Sequence, residues 1–212
     1  MTEGEQAPVR STAWYAAGFV TIIFHPLFLV LYGLLLIFTM PDLLVYMPGT
    51  IRKVLFTMVL INNVILPVAI LPLLRLRNVI TSYTLSERSE RVVPLLVGSL
   101  MYFVSAVMIF RFHLPGMIKA FMFASACVVF TAALLNLRWK ISVHSMGAGA
   151  MVATVLVLSF KMYTGLLWVM AAVFMTAGLV MAARLYLRAH TPAQVYFGFL
   201  AGLTVMALGM LI

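Results

Sequence analysis

Long apolar runs alternate along the chain with short breaks rich in proline, glycine and basic residues. A bilayer span needs about 20 mostly apolar residues. Seven runs meet that need, roughly 15 to 39, 54 to 74, 93 to 112, 117 to 136, 144 to 161, 165 to 184 and 192 to 212. The fifth and sixth are separated only by Lys161-Met162-Tyr163-Thr164-Gly165, which predicts a tight helical hairpin. No soluble domain fits between any two runs. The expected architecture is therefore an all-α polytopic transmembrane helix bundle of about seven spans, a single domain over 15–212 behind a tail over 1–14.

Seven spans place the loops alternately on two faces. The tail and the loops at 75–92, 137–143 and 185–191 fall on one face, and residues 41–53, the His113-Leu114-Pro115-Gly116 turn and the Lys161 turn on the other. Nine basic residues lie on the first face (Arg10, Arg75, Arg77, Arg88, Arg91, Arg138, Lys140, Arg184, Arg188) and five on the second (Arg52, Lys53, Arg111, Lys119, Lys161). The positive-inside rule puts the first face in the cytoplasm. If Arg88, Arg91, Lys140, Arg184 and Arg188 serve a ligand, the remainder is four against five, and orientation stays open.

Composition fixes the class. At 65% hydrophobic and 9% charged residues, with a mean hydropathy of +1.14, the chain is expected to be an integral membrane protein. The tail carries Glu3 and Glu5 rather than a basic region, and the first apolar run is too long for a cleaved signal peptide, so the first span is expected to stay. The single cysteine, Cys127, permits no intramolecular disulfide and no cysteine metal cluster. A formal charge of +9 points to the anionic bilayer surface or an anionic substrate; nucleic acid is not expected, because no basic amphipathic element appears outside the loops. Glu3, Glu5, Asp42, Glu87 and Glu90 are all the carboxylates there are, and residues 91–212 have none. Lipid enzymes that hold Mg²⁺ do so with clustered carboxylates. No metal site and no cofactor are expected, and any chemistry must run on His and Arg.

Three segments supply those groups. In Ala183-Arg184 through His190 to Gln194, an arginine ends one span and a histidine precedes the next. Arginine presents a planar fork that fits phosphate oxygens, and a neutral imidazole can attack phosphorus; alternatively both snorkel to water at helix ends. Lys140-Ile141-Ser142-Val143-His144 opens the fifth span, where free N–H groups favour an anion, although Ser142 also suits a helix cap and His144 an interfacial polar role. The loop Thr84-Leu85-Ser86-Glu87-Arg88-Ser89-Glu90-Arg91 brings two more arginines to the same face; alternatively it is a solvated turn with Glu87 and Arg91 paired.

These segments resemble the type 2 phosphatidic acid phosphatase superfamily, which includes lipid phosphate phosphatases and is similar to vanadium haloperoxidases. That family's third motif is Ser-Arg, five residues, His, three residues, Asp; here Ala183-Arg184, His190 and Gln194 keep the spacing. Its second motif, Pro-Ser-Gly-His, corresponds to Ile141-Ser142-Val143-His144. Its first, Lys, six residues, Arg-Pro, is represented by Arg91, with Thr84 at the lysine position and Val92 at the proline. The resemblance implies His190 as nucleophile, His144 as general acid, Gln194 at the position that orients the nucleophile, and Arg91, Ser142 and Arg184 as phosphate ligands; Arg88 and Lys140, on the same face, are further candidates for the phosphate, with Arg91 preferred over Arg88. The activity the resemblance points to is a metal-independent phosphatase of a membrane lipid phosphate such as a phosphatidate, phosphatidylglycerol phosphate or polyprenyl phosphate; the pocket is expected where spans three, five, six and seven converge, and the expected location is a bacterial inner membrane. Gln194 lacks the charge of the family's aspartate, and Val143 puts a side chain where glycine lets backbone approach phosphate. A lipid-phosphate binder or carrier without turnover, and an unrelated scaffold or transporter, are the alternatives. Oligomeric state is not legible.

Other polar positions within the spans read as structural. His25-Pro26 marks a kink, Asn62 and Asn63 line a cavity or bond across helices, and Gly198 and Gly202 form a small face for helix packing.

Overall fold

In hydrocarbon a backbone amide finds no water, so apolar runs of this length fold as helices, and every regular element among the described residues is helical. The computed structural model describes residues 11–40, 47–85, 87–161 and 165–212. The tail up to residue 10, Asp42, Ser86 and residues 162–164 of the tight turn lie outside them. The helices are α1 (Thr12–Ile23), α2 (Pro26–Phe38), α3 (Gly49–Leu76), α4 (Arg88–Phe110), α5 (Gly116–Asn136), α6 (Val143–Lys161), α7 (Leu167–Tyr186) and α8 (Pro192–Leu211). Six are each long and apolar enough to span a bilayer, and α1 with α2, bent by 58° at the break between them, makes a seventh where the pair counts as one span. The protein is a polytopic helical membrane bundle.

The kink expected at His25-Pro26 is deep enough to divide the first run into two helices. Pro26 has no N–H and cannot continue α1. It starts α2 instead, and His25 Nδ1 caps the new helix by accepting the Leu27 N–H at 3.3 Å. Proline acts in α3 too. Pro67 would strike the carbonyl of Asn63 four residues back, and the helix widens into a π turn over Ile61–Ile65 with the Leu66 N–H bonded to Ile61 O. Asn63, fully buried, accepts a 2.6 Å bond from Ser105 Oγ of α4. That is the cross-helix role expected of it.

Helix α6 is the centre. In its most apolar stretch 61% of residues are buried within the protein, against 17% for α7, whose Trp168 and Met175 face outward. Glycines set how closely α8 approaches α6. A Cβ on Gly149 would stand 2.0 Å from Phe199 O, and one on Gly202 1.9 Å from Met146 O, so the two backbones touch directly. Gly198 lies in the same seam against Ser142 O. The two helices run parallel: Ser142 N–H bonds Gln194 O at one end (3.4 Å), and Lys161 Nζ donates to Met210 O (2.7 Å) at the other. That lysine satisfies a terminal carbonyl of α8 with a charge of the sign its dipole favours. Parallel packing brings the first turns of both helices, which carry His144 and Gln194, to the same end of the bundle.

Candidate anion-binding site

The start of α8 fixes His190. Thr191 and Gln194 form a capping box, in which Thr191 Oγ1 accepts the Gln194 N–H (3.4 Å) and Gln194 Oε1 accepts the Thr191 N–H (3.2 Å). The same Oε1 lies 3.1 Å from His190 Nδ1. A backbone N–H only donates, so the atom it meets must be the amide oxygen, and an oxygen can bond Nδ1 only if Nδ1 carries the proton. The neutral ring is therefore the Nδ1–H tautomer, with its lone pair on Nε2. Burial lowers the His190 pKa from 6.5 to about 4, opposed by the Gln194 bond and reinforced by the charges of Arg184, Arg91 and Lys140. At neutral pH the ring is uncharged.

The start of α6 holds the second histidine. Ser142 caps the helix, its Oγ accepting the Ser145 N–H (3.3 Å) and lying 2.9 Å from Ser145 Oγ. Both serines are fully buried, so the expected phosphate ligand Ser142 sits in the cap and presents no surface. His144 Nε2 lies 3.2 Å from Thr21 O, and since a carbonyl only accepts, Nε2 carries the proton. Thr21 O is free because α1 ends there, with the His25 N–H turned to Ile22 O (3.3 Å). The His25 ring meets His144 edge to face at 5.1 Å between centroids. The bent first span thus closes one wall of the site.

Cations complete it. Arg184, in the last turn of α7, extends its charge over His25, His144 and His190. Its Nε is buried and has no hydrogen-bond partner among the described residues. Arg91, in the first turn of α4, donates from Nε to Leu85 O (2.7 Å) and is close enough to act on Arg184 and His190. Lys140 acts on His190 from the loop before α6. Among the described carboxylates, Glu87 acts on Arg91 from a distance, while Glu90 is engaged by Thr81, whose N–H (2.6 Å) and hydroxyl both donate to Oε1. No three metal-ligating side chains converge among the described residues. Two guanidiniums and an ammonium around the histidines, with Glu87 acting on Arg91 alone and one Arg184 nitrogen unsatisfied, leave a site of net positive charge that suits an anion.

Of the residues expected from the sequence, the structure brings His144, His190, Gln194, Arg184, Arg91 and Lys140 together. Arg88 goes elsewhere: its Nη1 donates to Leu137 O, and its own carbonyl accepts from Asn136 Nδ2 (2.9 Å). It ties α4 to the end of α5. The convergence expected of spans three, five, six and seven leaves out the first span, whose Thr21 and His25 stand against His144. An ionisable residue inside an apolar run was the available signal for His25; the adjacent proline drew it to a purely structural role. No family model, curated protein or solved structure matches the chain.

Proposed function

We propose that the protein is a divergent member of the type 2 phosphatidic acid phosphatase superfamily that hydrolyses a membrane lipid phosphate without a metal. The observation that carries this reading is the state of His190: neutral, tautomer fixed through Gln194, lone pair on Nε2, under the charges of Arg184, Arg91 and Lys140. In the first step Nε2 attacks phosphorus and the bond to the lipid oxygen breaks. His144 Nδ1, protonated for that step, gives the departing alkoxide its proton, and Arg184, Arg91 and Lys140 hold the phosphoryl oxygens as charge builds. In the second, water attacks the phosphohistidine, its proton passes to His144, and the bond from Nε2 to phosphorus breaks to release inorganic phosphate. The cations supply the charge neutralisation that a metal supplies elsewhere.

Two features favour a second reading, a binder or carrier of lipid phosphates. His144 Nε2–H is engaged by Thr21 O, so acid catalysis needs a second proton on a ring next to Arg184. Gln194 also lacks the charge that would stabilise the phosphorylated ring. Purified protein separates the two. The enzyme releases phosphate from a lipid phosphate in EDTA, is inhibited by vanadate, and loses turnover as His190→Ala. The carrier releases none, yet is stabilised against heat by the lipid in wild type and His190→Ala alike.

A further inference from the structure

We infer that an apolar slot beneath the cations takes a single hydrocarbon chain of the phosphate-bearing amphiphile, so that the protein recognises both the phosphate and the first carbons attached to it. The inference rests on the proposed phosphate site and adds the subsite below it. A cavity of 180 Å³ lies between the bent first span and helices α6 and α7, walled chiefly by Phe24, Leu29, Ala148, Met151, Ala177 and Val180.

Helix register sets its position. Residues four apart share a helix face, so Ala148 lies one turn below His144 on α6 and Val180 one turn below Arg184 on α7, while Phe24 adjoins His25. Two hydroxyls reach the lining, and both are turned back into protein: Tyr32 OH donates to Ile23 O (3.0 Å) and Thr176 Oγ1 to Ala172 O (2.7 Å). The walls that remain are hydrocarbon. Cations above and apolar walls below complement an anion carrying an alkyl or prenyl chain. A dry cavity of roughly 150 Å³ holds benzene, so this one takes about six to eight carbons of one chain and has no room for a second.

Titration of the full-length protein with inorganic phosphate and then with methyl, butyl, hexyl and decyl phosphate tests this. Affinity should rise about fourfold per methylene and level off beyond about eight carbons. Ala177→Phe, which fills the slot, should flatten the series and leave inorganic phosphate binding unchanged. Met151→Ala, which enlarges the slot, should move the plateau to longer chains. Affinity independent of chain length, with phosphate still bound, overturns the slot and leaves the phosphate site standing. A rise that both variants leave unaltered assigns the chain to surrounding detergent or lipid and overturns the slot as well. Wild-type protein that binds neither phosphate nor any ester overturns the phosphate site, and the slot with it.

Discussion

Gln194 holds His190 by one oxygen: Oε1 accepts from His190 Nδ1 at 3.1 Å while the Thr191 N–H fixes which end of the amide is oxygen. A glutamine therefore orients the ring as a carboxylate would, without the charge. Gln194→Glu keeps the length and both contacts and adds the charge, which favours the imidazolium. The His190 titration should move up from about 4 by a unit or more, read from imidazole nitrogen shifts by NMR. An unchanged midpoint would dissociate the two side chains.

The lowered His190 pKa also makes stability depend on pH. Between 6.5 and about 4 the unfolded chain binds a proton at this residue that the folded chain does not, so stability rises with pH across that window and is complete above it. Thermal midpoints in detergent should fall as pH drops from 6.5 towards 4 and level off below. His190→Asn should fall less over the same range, and an equal fall would place the titration on other groups.

Arg184 carries the unsatisfied donor, and Arg88 is engaged with Leu137. Arg184→Ala should weaken phosphate or vanadate binding about tenfold to a hundredfold, as expected for a hydrogen bond to a charged group. Arg184→Lys should recover only part, since an ammonium has no fork. Arg88→Ala should leave binding within about twofold. Equal losses at both arginines would mean that binding follows net charge rather than this geometry.

The seam between α6 and α8 aligns the first turns that carry His144 and Gln194. A Cβ at Gly202 meets Met146 backbone, which has no flexible end to move aside, so Gly202→Val should cost about 1–3 kcal/mol or more by overpacking. Its thermal midpoint should fall by several degrees, with phosphate binding lost in parallel. Gly178→Val, on a face where an added Cβ meets nothing within 4 Å, should leave both unaltered.

The fold was legible because the bilayer leaves a long apolar run little choice, and proline and glycine punctuate the runs in this sequence. The convergence of His144, Arg184 and His190 was legible for a related reason: alternating spans return these loops to one face. Three features were not. Ser142 reads equally as a ligand or a cap until its burial is known. Arg88 and Arg91 share a loop, and only packing against the end of α5 turns one away. The contact of Thr21 and His25 with His144 joins residues more than a hundred positions apart, through a helix end that no local spacing announces.

Turnover by the proposed route passes through a covalent phosphohistidine at His190 Nε2. Rapid acid-free denaturation after mixing the protein with a lipid phosphate labelled at phosphorus, in EDTA, measures it directly. Label is expected on His190, stable to base and lost in acid, absent from His190→Ala and accumulating in His144→Ala if His144 also activates the water. Inorganic phosphate released at the wild-type rate by His190→Ala, or turnover without any histidine label, would contradict it.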